Sequence, residues 1–330
     1  MNNKGQMSTP LSLIFGIIIG SVIFMFLIGF GYQYIALSGS LGSSELVIAL
    51  NDEFAAFSVS ESAEKTVDYK RKLNFQIVEG QLISKGQGVS IDQIIYAPPS
   101  LEGKQIAMAT KSLELPYRIG NVFYLADGKT VYILVSDKNS EEVVDDLKNS
   151  FNSIPSNFPS EVFSIDQVRG NVGQLSEITA QYDHVRFVFF TSYDSVIDDI
   201  SANFDSYDVL RVTSQEEDYS YGNVEYPDGK VIYMSYPMLV GAIIAFDSES
   251  YNYNLDLILD KLSVVTGIYY EKSKYISARL PTCDYARVKT NLENYRRFIG
   301  TTESPQSYKL KVDAVEEANK GLGGDCPEVF

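Results

Sequence analysis

Several residue types that build catalytic centres are scarce in this sequence. It has no tryptophan, one histidine, His184, and two cysteines among 330 residues. A single histidine excludes, within one chain, a metal centre built from several histidines, and it leaves His184 as the sole imidazole base for a catalytic triad. The chain also lacks a Gly-x-Ser-x-Gly elbow, a phosphate-binding loop and a dinucleotide fingerprint. These absences argue against an enzyme, and no cofactor is predicted.

Positive charge is scarce as well. Lysine and arginine together number 27 against 43 aspartates and glutamates, so the formal net charge is −16. An acidic surface without a basic stripe repels the phosphate backbone of DNA or RNA. Nucleic acid is therefore excluded as a partner.

Charge is absent altogether from the run Leu11–Ile35. As a helix, this run would rise about 37 Å, which is enough to cross a hydrocarbon core of roughly 30 Å. The sequence therefore predicts one transmembrane helix over residues 11–35, with the lipid bilayer as a partner. Residues 1–10 then form a short cytoplasmic end, and the Gly- and Ser-rich residues 36–44 form a linker.

The basic residues around this run predict its orientation. Lys4 precedes the run, whereas the next basic residue is Lys65, so the amino terminus is expected in the cytoplasm and the carboxy-terminal domain outside. This makes the chain a single-pass protein of the cell membrane. Gly16 and Gly20 have the spacing of a helix-packing pair, for which a homo-oligomer through the membrane helix is one interpretation. The alternative is that they have no packing role, because glycine is common in membrane helices. A removed secretory signal is the alternative, although the apolar run is longer than such signals usually are.

The residues before the apolar run, Lys4-Gly5-Gln6-Met7-Ser8, resemble the class III signal of archaeal type IV pilin-like proteins. The resemblance implies cleavage between Gly5 and Gln6, after which the apolar segment stays with the mature chain as an anchor or filament core. The acidic residue that the pilin pattern has two positions after the serine is Pro10 here. The resemblance covers about the first tenth of the chain, and the remaining residues resemble no family.

The two cysteines, Cys283 and Cys326, both lie in the part expected outside the membrane. Outside the cytosol such a pair can form a disulfide. The alternative is two unrelated buried thiols, because spacing along the chain does not show proximity in space.

The pattern of apolar residues after the linker predicts an α+β fold, with a mixed sheet, hairpins and strand-helix units. We divide it into a first region, residues 45–155, and a second region, residues 156–330, at a segment rich in proline and serine. One continuous domain is the alternative. Asp127-Gly128 and Asp228-Gly229 each stand between apolar runs, which is a typical hairpin signal.

Three strand-helix units are predicted. A strand ending near Val135 is followed by a helix over residues 140–151, and the strand 185–190 is followed by a helix over residues 194–204. In the third unit the strand is Leu239–Phe246 and the helix is Leu255–Val265. Two further helices are expected over 285–299 and 310–319, each stopped by a glycine.

An aspartate follows each of these three strands: Asp137, Asp194 and Asp247. If the strands are parallel, the three carboxylates gather at one edge of the sheet, where α/β proteins bind ligands, and a divalent cation site results. The alternative is that each aspartate caps the helix that follows it.

Taken together, the sequence favours a single-pass, membrane-anchored extracytoplasmic protein of the cell envelope. Its role is expected to be non-catalytic, with other envelope proteins or surface polymers as partners. Two alternatives are a pilin-like filament subunit and a surface enzyme that depends on carboxylates or a cation.

Overall fold

Two six-stranded mixed sheets form the framework of the chain. The computed structural model describes residues 50, 52–84, 87–152, 158–194, 196–301, 304–323 and 326–330, and Asp52–Phe330 make one compact unit. Sheet 1 contains β1 Ser62–Val78, β2 Gln81–Ser84, β3 Gln87–Ser90, β4 Ile94–Tyr96, β5 Leu101–Glu114 and β6 Arg118–Ala126. Sheet 2 contains β7 Thr130–Ser136, β8 Ser160–Ser164, β9 His184–Phe189, β10 Tyr207–Ser214, β11 Gly222–Glu225 and β12 Lys230–Tyr233. The labelled helices are α1 Glu141–Asn152, α2 Ile165–Thr179, α3 Ile197–Asn203, α4 Tyr236–Ile244, α5 Ser248–Arg279, α6 Ala286–Phe298 and α7 Pro305–Lys320.

Sheet 1 has the strand order β3-β2-β1-β5-β6-β4. All of its neighbours are antiparallel except β4, which runs parallel to β6. Sheet 2 has the order β12-β11-β10-β9-β7-β8, in which β10, β9, β7 and β8 are parallel and β11 and β12 form an antiparallel hairpin beside them.

The parallel half of sheet 2 is buried on both faces. Along β7, Val131, Ile133 and Val135 pack on one side against α2 and α3, while Tyr132 and Leu134 face the other side and join the larger core. A strand that is buried on both faces is a continuous apolar run, because the side chains that point to each face must all be apolar. Helices α1 and α4 lie on the inner face, and α4 also contacts sheet 1, whereas α5 packs against β12 and sheet 1.

The α+β character and the first two strand-helix units are confirmed: β7 leads into α1, and β9 leads through a short loop into α3. The hairpin at Asp228-Gly229 is also confirmed, since β11 and β12 pair across it. The hairpin at Asp127-Gly128 is wrong. There the turn carries the chain from sheet 1 into sheet 2, because β6 pairs with β5 and β4 whereas β7 pairs with β8 and β9.

The predicted strand Leu239–Phe246 is also wrong, because its residues 239–244 belong to helix α4. Seven consecutive residues of α4, from Met238 to Ile244, are buried, so the helix has no polar face and no 3.6-residue periodicity to reveal it. It lies close to sheet 1. A β-carbon on Gly241 would come within 2.3 Å of the Tyr96 ring, so glycine permits this close approach.

The predicted fold class combined an α+β domain with one transmembrane helix, and the transmembrane part of that prediction is wrong. Within the described ranges, no helix has both the length and the apolar composition that a membrane span requires. The longest described helix, α5, has 32 residues, but charged residues such as Asp256, Asp260 and Lys261 prevent it from being apolar along its length. The structure supports an α+β fold with two mixed sheets. Gly5, Gln6, Gly16 and Gly20, the rest of the run 11–35 and the predicted boundary at residue 155 lie outside the described residues.

Candidate functional site

Asp137 follows β7 at the carboxyl edge of the parallel strands. Its Oδ1 accepts hydrogen bonds from the Asn139 N–H at 2.9 Å and from both the N–H and the hydroxyl of Ser140 at 3.1 Å. Burial alone would raise the pKa of Asp137, but these hydrogen bonds, together with one from Thr191, lower it. Asp137 therefore stays ionised and fastens the turn that enters α1.

Asp194 and Asp247 do not join Asp137 in one site. Asp194 lies five residues beyond β9 and accepts from the Ser192 hydroxyl at 2.9 Å. Asp247 follows a helix, and its carboxylate caps α5 by accepting from the Ser250 N–H at 2.8 Å. The carbonyl of its neighbour Phe246 accepts a hydrogen bond from Arg186, the third residue of β9, so Asp247 lies toward the opposite, amino edge of the parallel strands.

Helix capping therefore explains Asp247. The three carboxylates do not lie at one shared edge of the sheet, which the divalent-cation hypothesis required. Over the described part of the chain, no group of three or more His, Cys, Asp or Glu residues is placed to hold a metal ion.

A wide crevice, which we call the carboxyl-edge crevice, opens between the start of α1 and the loop before β11. It is lined by Asn139, Glu142, Val143, Asp146, Glu217, Asp218 and Tyr236. In doubly wound sheets this edge is the usual position for phosphate-bearing ligands. Four of its seven lining residues are acidic, so in this chain the crevice repels phosphate.

A second concavity, the amino-edge cleft, lies where the amino ends of β7 and β9 meet sheet 1 and the end of α4. Its volume is about 250 Å³, near the lower limit of small-molecule sites, which span roughly 300–1,000 Å³. Apolar side chains and an ionic network share its walls. The lining residues are Pro98, Pro99, Ser100, Glu102, Asp127, Lys129, Thr130, Tyr132, Asp183, His184, Arg186, Ile244 and Phe246.

Arg186 on β9 is the most buried charge in this cleft, with 3% of its surface exposed. Its Nε and Nη2 donate to the carboxylate of Asp208, which lies directly opposite on β10, at 2.6–3.0 Å. Its Nη1 and Nη2 also donate to the backbone carbonyls of Ile243, Ala245 and Phe246. The carbonyls at a helix end lack partners within the helix and carry partial negative charge, so Arg186 holds the end of α4 to sheet 2.

Lys129 lies between two carboxylates at the mouth of the cleft. Its ammonium group is 2.8 Å from Glu102 and 3.1 Å from Asp183, and Glu102 also pairs with Lys72 at 2.7 Å. The hydrogen bond and charge of Lys129, and then those of Lys72, lower the pKa of Glu102 to about 2. Hydrogen bonds to Glu102 and then to Asp183 raise the pKa of Lys129, so both Lys129 and Glu102 stay charged at neutral pH.

Replacing Lys129 with methionine is expected to raise the pKa of Glu102 from about 2 toward its ordinary value of 4.5. A lowered carboxyl pKa means that the ion pair stabilises the fold above the ordinary value and that this contribution is lost as the pH falls toward 2. A carboxyl ¹³C NMR titration measures the change. Lys72→Met is the matched control and should give a smaller rise. Titration of Glu102 near pH 4.5 in the unmodified chain would contradict the prediction.

His184 stands between Ser206 and Asp208 in an arrangement that resembles a Ser-His-Asp triad. Its Nδ1 is 3.0 Å from the Ser206 hydroxyl, and its Nε2 is 3.2 Å from Asp208 Oδ1. In a working triad the aspartate stabilises the imidazolium. Here Asp208 already neutralises Arg186, and Ser206 is not among the residues that line the cleft. The arrangement therefore positions His184 without supplying a nucleophile to the cleft.

The residues that form this site were mostly missed by sequence reasoning. Lys129 and Arg186 were not singled out, and His184 was considered only as a lone catalytic base. One signal was present: Arg186 interrupts an otherwise apolar strand, and a charge in a buried strand requires a partner. The partner, Asp208, is on the next parallel strand, 22 positions away.

Cys283 and Cys326 form a disulfide with a Cα–Cα distance of 5.7 Å. The bond joins the loop between α5 and α6 to the carboxy-terminal tail. In that tail Val329 is buried, and the Phe330 ring packs at 5.0 Å from Tyr117. The disulfide is remote in sequence from the residues that line the amino-edge cleft.

Comparisons with known protein families, with curated proteins and with solved structures returned no match.

Proposed function

We propose that this chain is a non-catalytic binding protein that acts outside the cytoplasm and holds an uncharged, partly apolar ligand in the amino-edge cleft. The observation that carries the proposal is the internal pairing of the charges in the cleft. Arg186 uses all five of its N–H donors on protein oxygens, and Lys129 and His184 each contact two protein groups. General acid–base catalysis needs a group that is free to exchange a proton with the substrate.

The apolar part of the wall supplies the contact area. Pro98, Pro99, Ile244 and Phe246 line the cleft, and 46% of the Phe246 surface is exposed. Burial of an apolar or aromatic ligand group against such side chains is favourable in proportion to the area removed from water. A charged ligand would have to displace an existing ion pair, so the cleft favours neutral chemistry.

The size of the cleft also limits the partner. A volume of about 250 Å³ holds one side chain or one sugar ring, whereas a folded protein needs a far larger contact surface. The proposed ligand is therefore a single unit of an extended surface polymer or a side chain presented by another envelope protein.

The disulfide supports the compartment in the proposal. Disulfides persist in oxidising surroundings outside the cytosol, whereas cytosolic thiols are mostly kept reduced. Cys283 and Cys326 are the only cysteines in the sequence, and the bond between them leaves neither thiol free.

Replacing Phe246 with alanine is expected to weaken binding of a small neutral aromatic probe, benzyl alcohol, by about 5- to 10-fold, because the cleft loses its aromatic wall. A chemical-shift titration of the full chain with the probe measures the affinity. Leu310→Ala is the matched control, since Leu310 is 69% exposed on α7 and distant in sequence from the cleft residues. Equal losses in the two variants, or no loss in either, would remove the support for the cleft as the binding site.

A further inference from the structure

The long helix α5 carries an exposed row of six side chains with symmetric spacing. They follow one another at intervals of 4, 4, 3, 4 and 4 residues, and we call them the α5 stripe: Asp260, Val264, Ile268, Glu271, Tyr275 and Arg279. At 100° per residue these positions fall within about 100° of the helix circumference, so they form one face. All six are exposed, and the three apolar members have 65%, 61% and 57% of their surface exposed.

The two ends of the stripe carry opposite charges without ionic partners. Within the described ranges, neither Asp260 nor Arg279 makes a salt bridge; Arg279 only lies over the Tyr275 ring, 4.4 Å from its centroid. Near the centre, Glu271 is already paired with Lys274 at 3.0 Å. The stripe therefore presents an acid at one end, a base at the other and, between them, three apolar side chains and a glutamate whose charge is already paired.

This pattern is complementary to itself when reversed. If a second α5 runs antiparallel, with the two-fold axis between positions 269 and 270, Asp260 faces Arg279 of the second copy and Val264 faces Tyr275. By symmetry each of these contacts occurs twice. Beside the axis, Ile268 of each copy faces Glu271 of the other, whose carboxylate is already neutralised by Lys274. Scattered exposed apolar residues are ordinary on a protein surface, but a self-complementary row is what a two-fold interface requires. We propose that the chain forms a homodimer through antiparallel packing of its α5 stripes.

The size of the stripe predicts a weak dimer. From Asp260 to Arg279 the helix rises about 28 Å, so one helix pair buries less than the roughly 1,600 Å² of a standard stable interface. The dimer therefore forms at high local concentration, as between copies crowded on a surface, and dissociates on dilution.

Reversal of the end charges tests the interface. In sedimentation velocity of the full chain over a concentration series, the single variants Asp260→Arg and Arg279→Asp are expected to weaken dimerisation at least about 10-fold, because each places like charges opposite one another twice. The double variant Asp260→Arg/Arg279→Asp is expected to restore it. Asp198→Arg is the matched control: it makes the same charge change at an exposed position on α3, outside α5, and should change the dissociation constant less than about twofold.

A cross-linking measurement tests the same interface without the charge-reversal variants, in case those variants fold poorly. With the native cysteines bonded to each other, Ile268→Cys places the sole free thiol beside the axis, and a short bis-maleimide is expected to link two chains. Asn252→Cys, near the start of α5, should give at least about tenfold less linked product. A chain that is monomeric throughout the series, or a double variant that does not recover, overturns the proposal; recovery with Ile268→Cys linkage supports it.

Discussion

Replacing Arg186 with methionine is expected to lower the free energy of unfolding by about 3–5 kcal/mol. The variant keeps most of the buried aliphatic volume but leaves the Asp208 carboxylate, 17% exposed, without its guanidinium. It also leaves the carbonyls of Ile243, Ala245 and Phe246 without their donors, and each unsatisfied buried acceptor adds to the loss. Urea denaturation followed by circular dichroism measures the change.

The control for Arg186→Met is Arg211→Met on β10, where the arginine meets Glu225 at 3.9 Å and both side chains are more than one-third exposed. We expect a loss of at most about 1 kcal/mol there, as for other surface pairs. Equal losses at the two positions would show that the buried bonds of Arg186 do not stabilise the fold.

The pH dependence gives the Arg186 prediction a second readout. Burial would raise the pKa of Asp208, but Arg186 and His184 lower it, so the native contribution is present above the ordinary aspartate pKa and is lost as the pH falls through the lowered value. In Arg186→Met the burial effect prevails, and Asp208 takes up its proton at higher pH. The stability difference between the two chains should therefore narrow as the solution becomes acidic.

Removing the disulfide by the double substitution Cys283→Ala/Cys326→Ala is expected to cost about 4 kcal/mol. The bond closes a segment with a sequence separation of 43 residues, and a cross-link over that length restricts the unfolded chain by about this amount. Thermal and urea unfolding measure the loss. Hydrogen exchange should also show the tail from Cys326 to Phe330 losing protection before the sheets do, because the bond ties the tail to the loop before α6.

A reducing agent provides the control for the disulfide prediction. Dithiothreitol should destabilise the unmodified chain by a similar amount and leave the double variant unchanged. A maleimide label applied to native, unreduced protein should add no mass, and labelling at both cysteines would contradict both the disulfide and the proposed compartment.

The parts of the fold that sequence reasoning predicted are those whose signal is local and strong. Strands β7 and β9 are runs of apolar, largely β-branched and aromatic residues, and the helices after them repeat apolar residues at 3.6-residue spacing. At Asp228-Gly229 the turn chemistry and the strand pairing agree, so the hairpin was predicted as well.

The errors occur where distant contacts decide between structures that are locally equivalent. Asp127-Gly128 makes the turn that its residues favour, but the strands around it pair with partners far along the chain. Helix α4 is buried between other elements, so its sequence is apolar throughout and reads equally as a strand. The same limit applies to the cleft, because its ion pairs join residues that meet only when β7, β9 and β10 pair within sheet 2 and when sheet 2 meets sheet 1.

The bonds of Arg186 also determine how a ligand can enter the amino-edge cleft. The guanidinium holds the carbonyls of Ala245 and Phe246, and the side chains of Ile244 and Phe246 form the apolar wall. The wall therefore cannot swing outward without breaking buried hydrogen bonds. In such a rigid opening the shape of the ligand determines its affinity. A ligand that fits binds without the free-energy cost of rearranging the wall, and a ligand that does not fit makes few contacts because the wall cannot adjust to it. We expect the affinity of a series of related ligands to fall sharply once their bulk exceeds the opening, instead of declining gradually with size.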